Sequence, residues 1–276
     1  MGMFESKINR LLKKEIFADA RHFQILALGS LLTLLLFWSA FAPPLHVVAM
    51  IVISTLGTQF LFFKLLKIPS NDFRSPLITS LSLCLLFKTN LIWLYPLAGM
   101  AAMASKFLLR FNNKHLFNPA NFAIVIGLLL LPHNVWVSPG QWGSIVWLVF
   151  GLICLAILVL SKAGRADMSV FFLGFWALLL FGRALWLGDP LAIPTHNIQS
   201  GALLIFAFFM ISDPMTTPDH RLGRMVFALI TAILAFTMQY GFQIREAVFY
   251  ALFIVCMITP VLDYCFKNKR YQWRKA

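Results

Sequence analysis

Apolar stretches separated by brief polar connections run almost the whole length of the chain. They cover residues 24–42, 45–63, 76–87, 91–105, 119–131, 143–160, 169–187, 201–211, 225–240 and 247–264. A helix rises about 1.5 Å per residue, so a hydrocarbon core of about 30 Å takes about 20 residues. Most runs approach that length, whereas 76–87, 119–131 and 201–211 fall well short. The pattern predicts an all-α integral membrane protein of about ten transmembrane segments, three of them short or broken.

The sharpest interruption ends the run 201–211 at Ser212, Asp213 and Pro214, with Thr216 and Thr217 just beyond. Pro214 has no amide donor and clashes with the preceding turn. Backbone left unpaired inside a bilayer persists only where protein or a polar cavity satisfies it, so a broken helix facing a site is expected. Asp213, with Ser212, Thr216 and Thr217, either caps a turn leading into Arg221 and Arg224 or hydrogen-bonds a ligand or a cation. The second interruption is the block FNPANF at 117–122. Asn118 suits the N-cap of a helix starting at Pro119. Asn118 and Asn121, one turn apart, also offer amides to a ligand beside a positive helix terminus. Ser75 and Thr79, at the start of the short run that begins at Pro76, complete the candidate binding set.

The ten runs divide at the uncharged loop 132–142, PHNVWVSPGQW. An amphipathic N-terminus (1–23), two five-segment repeats (24–132 and 143–266) and a basic tail (267–276) result. Each repeat reads long, long, short, long, final. An odd number of spans inverts the second half relative to the first, so the short segments are expected to meet near the midplane.

Composition sharpens this picture. Of 276 residues, 60% are hydrophobic and 12% charged, with a mean hydropathy of +0.82. The net charge of +13 does not signal nucleic acid, because the cations lie between apolar runs and not on a soluble face. With the N-terminus in the cytoplasm, every Lys and Arg except Lys88, Arg183 and Arg245 falls on the cytoplasmic side, which predicts both termini there. That basic face also suits anionic lipid headgroups. No small-residue cleavage site precedes the first apolar run, so no removable signal peptide is expected. Gly2 and Ser6 match the short myristoylation pattern, which chance also produces.

Cys84, Cys154, Cys256 and Cys265 stand singly, without a CxxC pair, and are expected to be inert thiols. His22, His115 and His220 fall at one end of the segments and His46, His133 and His196 at the other, so no transmembrane bis-histidine haem is expected. No metal site, Gly-rich phosphate loop or nucleophile triad appears. The chain is not expected to be an enzyme alone, but at most a subunit of an oxidoreductase or translocase complex.

The segments RSPLITSLSLCLL from Arg74, LFNPANF from Leu116, and GALLIFAFFMISDPMTTP from Gly201 with Arg221-Leu222-Gly223-Arg224 after it resemble the RnfD and NqrB membrane subunits of ion-translocating redox complexes. The opening ARHFQILALGSLL from Ala20 is similar to that family's first span. The resemblance implies a ten-helix inverted-repeat fold, similar to that of urea channels, in the bacterial inner membrane, with other membrane or redox subunits as partners. Family members usually carry a Ser-Gly-Ala-Thr-like motif whose Thr is esterified to FMN. Residues 131–143 contain no such Thr, so no covalent FMN is expected. The family's Asp-Gly before the Ser of the first broken helix is replaced by Phe73-Arg74 ahead of Ser75. What remains is an electron-transport subunit holding noncovalent riboflavin or FMN. The alternatives are a transporter or channel for a small polar solute and a scaffold that recruits a redox partner.

Overall fold

A computed structural model of the chain describes residues 19–38, 42–69, 72–112, 114–138, 161 and 164–271. The run 143–160 with Cys154, residues 139–142 of the dividing loop, most of the amphipathic N-terminus with Gly2 and Ser6, Lys162, and the tail beyond Tyr271 lie outside the described residues. Each of the other apolar runs carries helix in its described residues. In chain order the helices are α1 (Ala20–Trp38), α2 (Leu45–Leu65), α3 (Arg74–Leu86), α4 (Leu94–Leu108), α5 (Pro119–Leu130), α6 (Ala166–Leu187), α7 (Ala192–Ile198), α8 (Gly201–Ile205), α9 (Arg221–Phe236), α10 (Ala247–Cys256) and α11 (Thr259–Cys265). Wider π turns extend α8 over Phe206–Met210 and α9 over Thr237–Gly241.

Among the described residues four helices are long and apolar enough to cross a bilayer, α1, α2, α6 and α9 with its π turn. A fifth span results if α10 and α11, bent by 51° at the break before Pro260, count as one. The three apolar helices that stop short are α3, α5 and α8 with its π turn. These coincide with the three short runs of the sequence. Only 22% of the α2 window is buried. Phe60, Leu61 and Leu65 of α2 and Leu178, Leu185 and Trp186 of α6 are exposed. Apolar surface on that scale needs a hydrocarbon solvent.

Two packed groups make up the molecule. In the first, α2 packs on α3 and α4, α1 on α3, and α4 on α5; in the second, α9 packs on α6 and α10. Contact between α5 and α10 joins the groups, with Phe117 stacked on Phe253 at 4.5 Å. Two short ladders supplement the predominantly helical fold. Strands β1 (Phe87–Thr89) and β4 (Val135–Val137) form an antiparallel ladder pairing Phe87 with Val137 and Thr89 with Val135. A smaller ladder pairs β2 (Arg110–Phe111) with β3 (Lys114–His115). The physical reason for the first ladder is the short helix before it. Because α3 ends at Leu86 and the buried Phe87 and Thr89 follow, the chain beyond must still pair its backbone, and the ladder does so, extended by Ser138 N donating to Leu86 O at 2.8 Å.

Close approach of α2 and α4 depends on Gly99. A Cβ there would run into the Ser54 side chain and lie 3.1 Å from Thr55 Cγ2 and 3.3 Å from Ile51 O. Small residues at such crossings let membrane helices pack by van der Waals contact. Gly99→Val is expected to destabilise the protein by about 1–3 kcal/mol through overpacking. Gly57→Ala, in α2 with nothing within 4 Å, serves as the control. Thermal melts in detergent check this: equal melting temperatures for the two variants would refute the tight crossing.

Candidate functional site

The three short helices converge on one cavity. Each leaves its polar end at the end of the molecule that also carries the N-termini of α1, α6 and α9. The cavity has a volume of about 270 Å³. Ser75, Ile78, Thr79 and Ser82 line it as one stripe of α3, at the i, i+3, i+4, i+7 spacing of a single helix face. Asn118 and Pro119 come from the start of α5, and Phe208, Phe209, Ser212 and Asp213 from the end of the α8 π turn. Gln59 of α2 and Lys106 of α4 close one side.

Asn118 joins two of these helices. Its Oδ1 accepts the Asn121 backbone N–H at 3.1 Å, capping α5, while its Nδ2 donates to Asp213 Oδ2 at 3.3 Å. The two interrupted helices therefore touch through side chains 95 positions apart. Asp213 also organises its own turn. Its Oδ1 accepts from Met215 N at 3.0 Å, and its carbonyl accepts from Thr217 Oγ1 at 2.9 Å and Thr216 Oγ1 at 3.3 Å. Thr216 and Thr217 are fully buried behind Asp213 and do not line the cavity. Asn121 is likewise turned away: its Nδ2 donates to Phe249 O on α10 at 3.1 Å, and its buried Oδ1 has no hydrogen-bond partner among the described residues. Of the seven candidates, Ser75, Thr79, Asn118 and Asp213 face the space, and Asn121, Thr216 and Thr217 support it.

Several side chains at and beside the cavity lie outside the set that the sequence pattern singles out. Lys106 Nζ donates to Gln59 Oε1 at 2.9 Å and Ser75 Oγ at 2.8 Å, and among the described residues no carboxylate lies within ion-pair distance of it. At the cavity mouth Asp19, Arg21, Asp72 and Arg74 close an alternating ring. Arg21 pairs with both carboxylates, as does Arg74, at 2.8 Å to each. A repeated Asp-x-Arg at the starts of α1 and α3 was the available signal. A second network lies beside the first. Lys114 sits 2.8 Å from both Asp219 and Asp263, Arg165 pairs with Asp219, and Arg224 pairs with Asp167. His115 borders the cavity, and its buried Nδ1 has no hydrogen-bond partner among the described residues.

A family model described as the NQR2, RnfD, RnfE family matches residues 135–272. Curated relatives include the D-type subunits of the ion-translocating oxidoreductase complexes of Salmonella paratyphi B, Salmonella newport and Salmonella heidelberg, each 31% identical over 138 residues. The match covers 49% of this chain and 38% of each relative, so the chain spans well under half the length of the proteins it resembles.

Two groups at the cavity make its stability sensitive to acid. Burial, then the charges of Lys106 and Arg110, push the His115 imidazole down to about 3. Burial alone would raise the Asp72 carboxyl, but the Arg74 hydrogen bonds and the nearby Arg21 charge bring it down to about 2. In the unfolded chain these groups titrate near about 6.5 and about 3.9. Below about pH 6.5 the unfolded state binds a proton that the folded imidazole refuses, and stability falls as pH drops from there toward about 3. The Asp72 contribution, complete above about pH 4, is lost as pH falls through about 2. Melting temperature is expected to fall on acidification from neutral pH. His115→Gln should flatten the curve between about pH 6.5 and 4.5 and leave the lower limb intact. A variant curve parallel to the parent's throughout would show that His115 is not the titrating group.

Proposed function

Because the chain belongs to the NQR2, RnfD, RnfE family, we propose that it is a membrane subunit of an ion-coupled electron-transport system that holds a noncovalent riboflavin or FMN in the cavity between α3, α5 and α8. The multi-pass helical layout and the meeting of interrupted helices from both parts of the chain support an inverted ten-segment repeat. They also support a bacterial inner-membrane location with both termini cytoplasmic. Further membrane or redox subunits are the expected partners, since the Salmonella relatives are named as subunits of such a complex.

The observation that carries the reading is Lys106. Lys106 lines the cavity, and an ammonium bonded to two neutral oxygens has a third N–H to offer. An acceptor-rich ligand, or one that gains negative charge on reduction, satisfies it. The rest of the lining fits an isoalloxazine in kind. Phe63, Ile78, Phe208 and Phe209 supply an apolar and aromatic wall, and Gln24 and Asn118 add amides. Asp213 provides an acceptor for a ring N–H. The volume, about 270 Å³, lies just below the range for ligand sites, about 300–1,000 Å³, so the ring is expected to enter with its ribityl tail toward the mouth. A bound flavin supplies one- and two-electron redox chemistry. The protein's part is to orient the ring, exclude water and balance its charge.

A solute transporter or channel is the second reading, and one observation favours it. A further cavity of about 230 Å³, lined by Trp176, Ser200, Leu203, Gln239 and Glu246, lies at the opposite end of α8. Two vestibules at the ends of one broken helix are the layout of alternating access. Uptake by proteoliposomes of this chain alone, without any chromophore, would favour that reading over the first.

Purified in detergent, the protein is expected to show flavin absorbance, or to quench the fluorescence of added riboflavin or FMN. Lys106→Met and Asn118→Ala are each expected to weaken binding about tenfold or more, the cost of losing a hydrogen bond in which one partner is charged or buried. Thr195→Val, on exposed α7, should bind as the parent does. No absorbance together with no quenching by either flavin would sink the proposal.

A further inference from the structure

We infer that the cleft between the β2–β3 hairpin and the α11 segment is a binding site for the phosphate headgroup of an anionic phospholipid. This cleft, of about 680 Å³, is distinct from the cavity between α3, α5 and α8 and shares only His115 with it among the described residues. One wall is Phe111, Asn112 and Leu116; the other is Pro260, Val261, Tyr264, Lys267 and Arg270.

Charge and hydropathy inside the cleft are sorted. Its carboxylates, Asp219 and Asp263, are both engaged by Lys114 at 2.8 Å, and Asp263 also accepts the Asp219 backbone N–H at 2.9 Å. Lys114 is saturated in turn, since it also donates to Thr217 O at 3.0 Å. Lys267 and Arg270 have no carboxylate within ion-pair distance among the described residues, and both are exposed. Lys267 lies 5.8 Å from the Tyr264 ring centroid, which leaves its ammonium open to an anion. Asn112 is held at the hairpin tip with φ of +48°, a left-handed turn geometry that asparagine tolerates, and its amide has no hydrogen-bond partner among the described residues. The site therefore offers two cations and an amide donor to one anion.

Apolar surface next to these donors selects a lipid over a free phosphate. Phe111, Val261 and Tyr264 are exposed within the cleft, and Leu108 and Leu109 continue the exposed apolar surface along α4. A soluble anion leaves that surface bare, whereas acyl chains cover it. The cleft also lies at the end of α4 and α11, where apolar helix surface gives way to charge, which is the depth of a headgroup. Basic clefts between membrane helices at this level bind anionic headgroups through short-range attraction to each Lys or Arg.

The test uses the full-length protein in detergent and in vesicles. Titration with phosphatidylglycerol, followed by native mass spectrometry and thermal shift, is expected to show saturable binding that phosphatidylcholine does not reproduce. Lys267→Gln with Arg270→Gln should weaken it about tenfold or more, while Lys64→Gln with Lys67→Gln, equal in charge lost but outside the cleft, should change it less than about twofold. All four positions are exposed or lie at an exposed helix end, so both double variants are expected to fold, and monodisperse elution verifies it. Equal losses in the two variants would mean diffuse surface charge and overturn the site. Inorganic phosphate or glycerol phosphate binding as tightly as the lipid would overturn it as well, by making it a free-anion site.

Discussion

A helix that ends inside hydrocarbon must still satisfy its terminal amides and carbonyls, and this requirement shapes the molecule more than any other. Each unpaired group at that depth costs several kcal/mol, so a short helix survives only with a partner at its broken end. Here the partners are one another's side chains. Asn118 caps α5 with its oxygen and reaches Asp213 with its nitrogen, while Asp213 closes the turn after α8 with its own carboxylate and carbonyl. Helix α3 solves the same problem differently, by handing its chain to the β1–β4 ladder. The cavity is what remains where three such solutions converge.

The ionic networks around that cavity are better understood as positioning than as stabilisation. Desolvation offsets most of the attraction in a buried pair, so counting bridges says little about net stability. Geometry says more. The ring of Asp19, Arg21, Asp72 and Arg74 ties the start of α1 to the start of α3, and Lys114 ties the hairpin to both Asp219 and Asp263. Walls held at both ends by charged groups cannot shift without exposing a buried charge, which preorganises the space between them.

The helices, the three short segments and the helix breaks were legible in the chain because each rests on a local rule: run length against bilayer thickness, proline without a donor, asparagine ahead of proline. Asn118 and Asp213 stood out singly, as polar residues at interrupted segments, but the hydrogen bond between them is visible only in the fold. Lys106 was not legible. A lysine directly after an apolar run is ordinarily a topology marker, and only the fold reveals that its ammonium turns inward to Gln59 and Ser75. The acidic partners were hidden for a related reason, since counting basic residues for orientation ignores carboxylates on the same side. Asn121 illustrates the opposite error. Helical spacing places it one turn from Asn118, but one turn also rotates it toward α10, where Phe249 O takes its amide. The ladders escaped because three residues of strand have no periodicity to detect.

Which groups remain free to meet a ligand follows from where the others are committed. The π turn at Phe206–Met210 widens the helix and disturbs its carbonyl ladder, and side chains repair it: Ser169 Oγ donates to Ala207 O and Ser212 Oγ to Phe208 O. Thr79 Oγ1 is spent on Ser75 O within its own helix. Ser212 and Thr79 therefore line the cavity as polar surface with their protons already given away, though their oxygens can still accept. Among the described residues, the donors left over include the third N–H of Lys106, the Gln24 amide and the second N–H of Asn118, and the strongest acceptor is the Asp213 carboxylate. A ligand matched to that residue of capacity carries two or more acceptors along one edge and a single N–H nearby. The pyrimidine edge of a flavin has that arrangement.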